Sequence, residues 1–108
     1  MELDLNGRTA LITGASRGIG AAVAGTLAGA GCSVHLAARS AGDLEHLADR
    51  LREEHGATVV THPVDLREPG APALLADACG AVDILVNNAG DIPGGTIDDL
   101  DADDWRRA

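Results

Sequence analysis

Thr13-Gly14-Ala15-Ser16-Arg17-Gly18-Ile19-Gly20 follows the apolar run Thr9-Ala10-Leu11-Ile12 and leads into a helical pattern. Strand, glycine turn and helix in succession form the arrangement in which a nucleotide phosphate rests on a helix N-terminus. Gly14 permits the tight turn, Gly18 lets a pyrophosphate approach the backbone, and Gly20 lets the helix lie close to the sheet. The backbone N–H groups near Gly18, Ile19 and Gly20 are free at a helix start and can bind phosphate oxygens. Ser16 offers its hydroxyl to a phosphate or ribose, or to a local turn bond. The spacing is G-x-x-x-G-x-G, and glycine also marks ordinary turns, so the surrounding pattern has to carry the assignment.

That pattern alternates strand and helix along the chain. Asn6-Gly7 reads as a turn, and residues 8–13 as a first strand whose continuous apolar centre implies burial on both faces. Ile19, Val23 and Leu27 recur four apart, flanked by Ala22 and Ala30, and predict the apolar face of a helix ending near Gly29 to Gly31. Residues 33–38 predict a second strand. Ser40 is placed to cap the next helix, with Asp43 in the position of a capping-box acid and Leu44, Leu47, Ala48 and Leu51 as its apolar stripe. Gly56 ends it. Residues 58–64 predict a third strand, and Pro69 opens a helix carrying Ala71, Leu74, Leu75 and Ala78 up to Gly80, with Pro72 tolerated in its first turn. Residues 82–86 predict a fourth strand, Asn87 onward a loop, and Asp101 a cap for a last helix over 102–108. The expected fold is α/β, a doubly wound parallel sheet of order 3-2-1-4 with helices on both faces. Its ligand crevice lies between strands one and four at their carboxyl ends, where the glycine turn meets the segment beginning at Asn87.

Composition bounds the partners. The 108 residues are 45% hydrophobic with a single aromatic, Trp105, so the core is built from Ala, Val, Leu and Ile. A net charge of -9 argues against nucleic acid and anionic membrane surfaces. The N-terminus lacks a basic start and an apolar core, which points to a cytoplasmic protein. Cys32 and Cys79 form no C-x-x-C and no Cys/His cluster along the sequence, and read as small buried apolar residues. His35, His46, His55 and His62 share no metal-ligand spacing and read as ordinary histidines, so no metal is expected. The acidic cluster Asp98, Asp99, Asp101, Asp103 and Asp104 reads as a helix N-terminus.

Three motifs now stand in order. The stretch from Thr13 to Gly20 resembles the T-G-x-x-x-G-I-G cofactor motif of the short-chain dehydrogenase/reductase family. Asn87-Asn88-Ala89-Gly90 resembles its N-N-A-G motif, and Asp65, past the third strand, resembles the acid that contacts adenine there. The resemblance spans the whole chain. It implies a single NAD(P)-binding Rossmann domain over 1–108, incomplete at the C-terminus, from an oxidoreductase interconverting carbonyls and alcohols by hydride transfer. Leu66 beside Asp65 falls in the same implied cofactor site. Asn88, Ala89 and Gly90 fall on its ribose and nicotinamide side, and Asn87 reads as a structural tie between strands. The resemblance also implies a homo-oligomer, dimer or tetramer, for the full-length protein.

Charge selects the nucleotide. An NAD-preferring site carries an acid about twenty residues after the glycine turn. Here Ala37-Ala38-Arg39-Ser40 has none before Asp43. Arg39 offers a permanently charged planar fork for a 2′-phosphate, Arg17 in the turn could reach the same group, and Ser40 adjoins it. NADP(H) is the expected cofactor, with NAD(H) the alternative. The family's reaction also uses a Ser, a Tyr acting as general acid/base, and a Lys that lowers the Tyr pKa. The chain has no Tyr, and all eight of its basic residues are Arg, so no catalytic residue is assigned within it. The expectation is the N-terminal portion of a longer enzyme, inactive alone, with fourth-strand residues on an exposed edge. A non-catalytic NADP(H)-binding sensor or truncated fragment is the alternative.

Overall fold

Four of the five residues of β1 (Thr9–Thr13) are completely shielded from water, as a central parallel strand covered on both faces requires. The computed structural model describes residues 4–88. In chain order β1 is followed by α1 (Gly18–Gly29), β2 (Ser33–Ala38), α2 (Ala41–His55), β3 (Val59–Pro63), α3 (Ala71–Cys79) and β4 (Ile84–Asn87). The strands are parallel and ordered β3-β2-β1-β4, the order that right-handed crossovers predict.

Strand parity divides the core into two layers. Ala10, Ile12, Val34, Leu36 and Val59 face α1 and α2, while Leu11 and Ala37 face α3 together with Leu66, Leu75 and Cys79. α2 follows its sequence pattern closely. Ser40 Oγ accepts from Asp43 N at 3.2 Å, Leu44, Leu47, Ala48 and Leu51 are buried, and Gly56 closes the helix at φ +63°.

Two helices depart from the expected stripes. α1 does not bury Ile19, which is 73% exposed; it buries Gly20, Ala24 and Ala28. The larger residues lose because the helix lies too close to the sheet. A Cβ on Gly20 would collide with the carbonyl oxygen of Gly14 and come within 2.9 Å of Asn88 Nδ2. In α3 the buried line is Ala71, Leu75, Ala76 and Cys79, while Leu74 is 70% exposed and Ala78 lies in solvent. That helix begins at Ala71, not Pro69, because the chain before it forms turns, with Glu68 N donating to Asp65 O and Ala71 N to Glu68 O. β4 begins and ends later than the sequence suggests. Asp83 instead brackets the start of β1, accepting from Thr9 N at 2.9 Å while its own amide donates to Thr9 O. Asn87 pairs in register with Thr13. Among the described residues β4 pairs with β1 alone, so it lies at the sheet edge.

Burial separates the two readings of α1. Ala24→Leu should cost about 1–3 kcal/mol by overpacking the helix–sheet contact. Ile19→Ser should change stability by less than about 0.5 kcal/mol. Urea unfolding midpoints of the two variants check this.

Candidate functional site

The hydroxyl of Thr13, at the end of β1, ties the site together. Thr13 Oγ1 lies 3.2 Å from Asn87 Oδ1 and 3.4 Å from Val86 O, to which it donates, and it accepts from Asn88 N at 3.1 Å. Asn88 Nδ2 donates to Gly14 O at 3.4 Å, and Ala15 N donates to Ala37 O at 3.2 Å. The glycine turn is thus fastened to β4 on one side and to β2 on the other. Asn87 is the strand tie expected from the sequence. Asn88 is a second one, holding the turn itself.

Gly14 and Gly18 both sit at left-handed φ, +60° and +63°, where a side chain is strained. Open space surrounds the position a Cβ would take on Gly18. Arg17 is the extended N-cap of α1 and makes no side-chain cap, and the first turn holds no acid. The first helical bond runs from Ala21 N to Arg17 O. Among the described residues no acceptor engages the amides of Gly18, Ile19 and Gly20, which leaves three N–H groups at the positive end of the helix dipole. Ser16 is half-buried in the same turn.

Arg39 and Ser40 follow β2 directly and are exposed, with the Ser40 hydroxyl engaged in capping α2. Past β3, Asp65 is gripped by a residue that the sequence reading overlooked. Arg67 donates to Asp65 Oδ1 from its backbone N at 2.9 Å and from Nε at 3.0 Å, and to Oδ2 from Nη2 at 2.9 Å. The D-x-R spacing is the signal that could have shown it. These bonds, chiefly those of the Arg67 side chain, hold the Asp65 carboxyl down at about 2, and the Arg39 charge acts in the same direction. An ionised carboxylate has about four acceptor positions. Arg67 fills three, so one remains on Oδ2. The Leu66 side chain is buried in the α3-side core. Ala89 and Gly90 lie outside the described residues, as do the expected loop after residue 90, the acidic cluster and the last helix.

The expectation that Cys79 stands apart from any Cys/His cluster is overturned in space. His35 Nδ1 and His62 Nε2 are 2.8 Å apart with stacked rings, and Cys79 Sγ is 3.8 Å from His62 Nε2. Strands β2 and β3 and helix α3 bring together residues that lie 17 to 44 positions apart, so no local spacing announces them. Both cysteines are buried and free, as expected.

The family model for short chain dehydrogenases matches residues 8–108. The chain is 39% identical to D-beta-hydroxybutyrate dehydrogenase of Rhizobium meliloti over 105 residues, 93% of this chain and 41% of that protein. L-sorbose reductase of Gluconobacter frateurii, solved with NADPH and L-sorbose, superposes with a TM-score of 0.78 at 34% identity, over 98% of this chain and 42% of that one. An alcohol dehydrogenase of the archaeon Thermococcus sibiricus, solved with 5-hydroxy-NADP, gives 0.72 at 40% identity over 77% of this chain and 37% of that one. The chain spans less than half the length of the curated relatives it matches. Among the described residues no helix is long and apolar enough to cross a membrane.

The Asp65–Arg67 pair makes a prediction about pH. The folded-state value of Asp65 lies below its ordinary 3.8, so the pair contributes stability above that range and loses it as pH falls toward about 2. In an NMR titration the Asp65 carboxyl should turn over near pH 2, and in Arg67→Ala it should move back up toward 3.8.

Proposed function

The chain belongs to the short-chain dehydrogenase/reductase family, and on that basis we propose that it is the cofactor-binding part of an NADP(H)-dependent oxidoreductase interconverting carbonyl and alcohol groups. The single observation that carries the reading is the fastened glycine turn, with unengaged amides at Gly18, Ile19 and Gly20 beside open space, at the crevice between β1 and β4. That crevice is where strand order reverses, the general ligand position of open α/β sheets. The dinucleotide supplies a hydride to a carbonyl carbon, or takes one from an alcohol.

The chain's own residues hold and orient it. The three amides bind pyrophosphate oxygens without a desolvated charge, and Gly18 keeps the approach open. Ser16 adds a hydroxyl to the phosphate or ribose. Asp65, kept ionised by Arg67, offers its remaining acceptor position on Oδ2 to the adenine amino group, beside the Leu66 backbone. Asn88, Ala89 and Gly90 border the ribose and nicotinamide. Arg39, with Arg17 and Ser40, takes the 2′-phosphate that distinguishes NADP(H) from NAD(H). No carboxylate stands at the end of β2 to bind a free 2′-hydroxyl. The two neighbours solved with NADPH and 5-hydroxy-NADP support this choice. Proton transfer at the substrate oxygen is assigned to residues beyond these 108, because the chain holds no Tyr and no Lys.

Calorimetric titration of the full-length protein with NADPH and NADH tests the reading. NADPH should bind more tightly. Arg39→Ala should cost about ten- to a hundredfold in NADPH affinity, the worth of a charge-assisted hydrogen bond, and leave NADH nearly unchanged. An unchanged NADPH/NADH ratio would overturn the cofactor assignment. Nucleotide binding with no hydride transfer to any carbonyl substrate would favour a sensor.

A further inference from the structure

His35 is the third residue of β2 and His62 the fourth of β3. The parallel register pairs His35 with Val60 and Ala37 with His62, so the two histidines are diagonal neighbours on one face of the sheet. Cys79 closes α3, the helix that packs on that face. The ligand atoms His35 Nδ1, His62 Nε2 and Cys79 Sγ all lie within 4.8 Å of one another. We propose that these three side chains bind a borderline dication of the zinc class through two imidazoles and a thiolate, with solvent in the fourth position.

Zinc bonds are about 2.0 Å to imidazole nitrogen and about 2.3 Å to thiolate sulfur, so tetrahedral ligand atoms sit roughly 3.3–3.6 Å apart. The observed separations of 2.8 Å and 3.8 Å bracket that range. The donor set of nitrogen and sulfur selects zinc, cobalt or a similar ion over magnesium or calcium, which require oxygen. Burial lowers the pKa of both imidazoles, which favours their neutral forms. The hydrogen bond that joins Nδ1 and Nε2 gives way on binding, with the donor ring passing to its other tautomer. Burial also pushes the Cys79 thiol up to about 11. On binding, its S–H bond breaks, the proton goes to solvent and the metal–sulfur bond forms. The histidines are half-buried, not sealed in the core. Occupancy would clamp β2, β3 and the C-terminal end of α3 to one another.

Cobalt(II) is the probe, because tetrahedral thiolate coordination gives it both visible and near-ultraviolet charge-transfer absorption. Titrating the metal-free, reduced protein should give one equivalent per chain, with both signals bleached by zinc. Cys79→Ser should abolish the charge-transfer band. His35→Gln and His62→Gln should each weaken binding by more than about a hundredfold, beyond the usual loss for an outer-shell change. Cys32→Ser, on the opposite core layer, should retain the wild-type titration. Far-ultraviolet circular dichroism establishes that each variant is folded. The proposal is overturned if folded wild-type protein gives no thiolate band, or if the band survives both histidine substitutions, which would mean an adventitious thiolate complex only. None of these readouts depends on nucleotide binding, so this site and the cofactor reading stand or fall separately.

Discussion

The Thr13 hydroxyl is the constraint on which the rest of the structure depends. It is fully buried at the end of the central strand, where an unpaired polar group would be costly. Its bonds to Asn87, to Val86 and from Asn88 resolve that cost by fixing the end of β4 beside the end of β1. Asn88 then reaches across to Gly14 and sets the glycine turn. The same contact that satisfies a buried hydroxyl therefore positions the amides of α1. Fold stability and site geometry meet in one side chain, and a nonpolar isostere such as Val would keep its volume and lose the clasp.

Close packing is the second constraint, and it follows from the first. With the turn pinned at Gly14, α1 starts almost against β1. Only a residue without a Cβ fits at position 20, and Ala24 and Ala28 continue the same line. This explains why hydrophobic periodicity misread the helix. The rule that large apolar residues face the core assumes an ordinary helix–sheet separation. Where backbones approach closely, the small residues turn inward, and Ile19 is left in water although it is more hydrophobic than any of them. Leu74 in α3 is exposed for a related reason: Ala71, Leu75 and Cys79 already fill one i, i+4 line.

Much of the fold was nevertheless legible. Strand–helix alternation gave the sheet order, because right-handed crossovers leave few alternatives. Ser40 and Gly56 marked both ends of α2, since capping chemistry is local. Strand ends were less legible, because they depend on partners far along the chain: Asp83 gives its carboxylate to Thr9, and Asn87 joins β4 through Thr13. The site shows the same division. Gly14, Gly18 and Gly20 could be read from their spacing. The Arg67 grip on Asp65 was local but unremarked. The meeting of His35, His62 and Cys79 depends on sheet register and on the placement of α3, neither of which any sequence spacing encodes.

One tension remains between the whole chain and its site. A net charge of -9 repels a polyanionic nucleotide, yet the family binds such ligands. Distance resolves it. At physiological ionic strength charges more than about 8 Å away are largely screened, so the global balance governs encounter more than affinity. Locally the picture is inverted. The first turn of α1 carries no acid, its dipole presents positive N–H groups, and Arg17 caps it in extended conformation. Asp65, whose carboxyl feels the Arg39 charge, is already paired with Arg67. The Arg39 guanidinium makes no ion pair with a carboxylate among the described residues. Arg67 therefore holds the acid beyond β3 ionised through its own bonds, and the arginine at the end of β2 adds only its field.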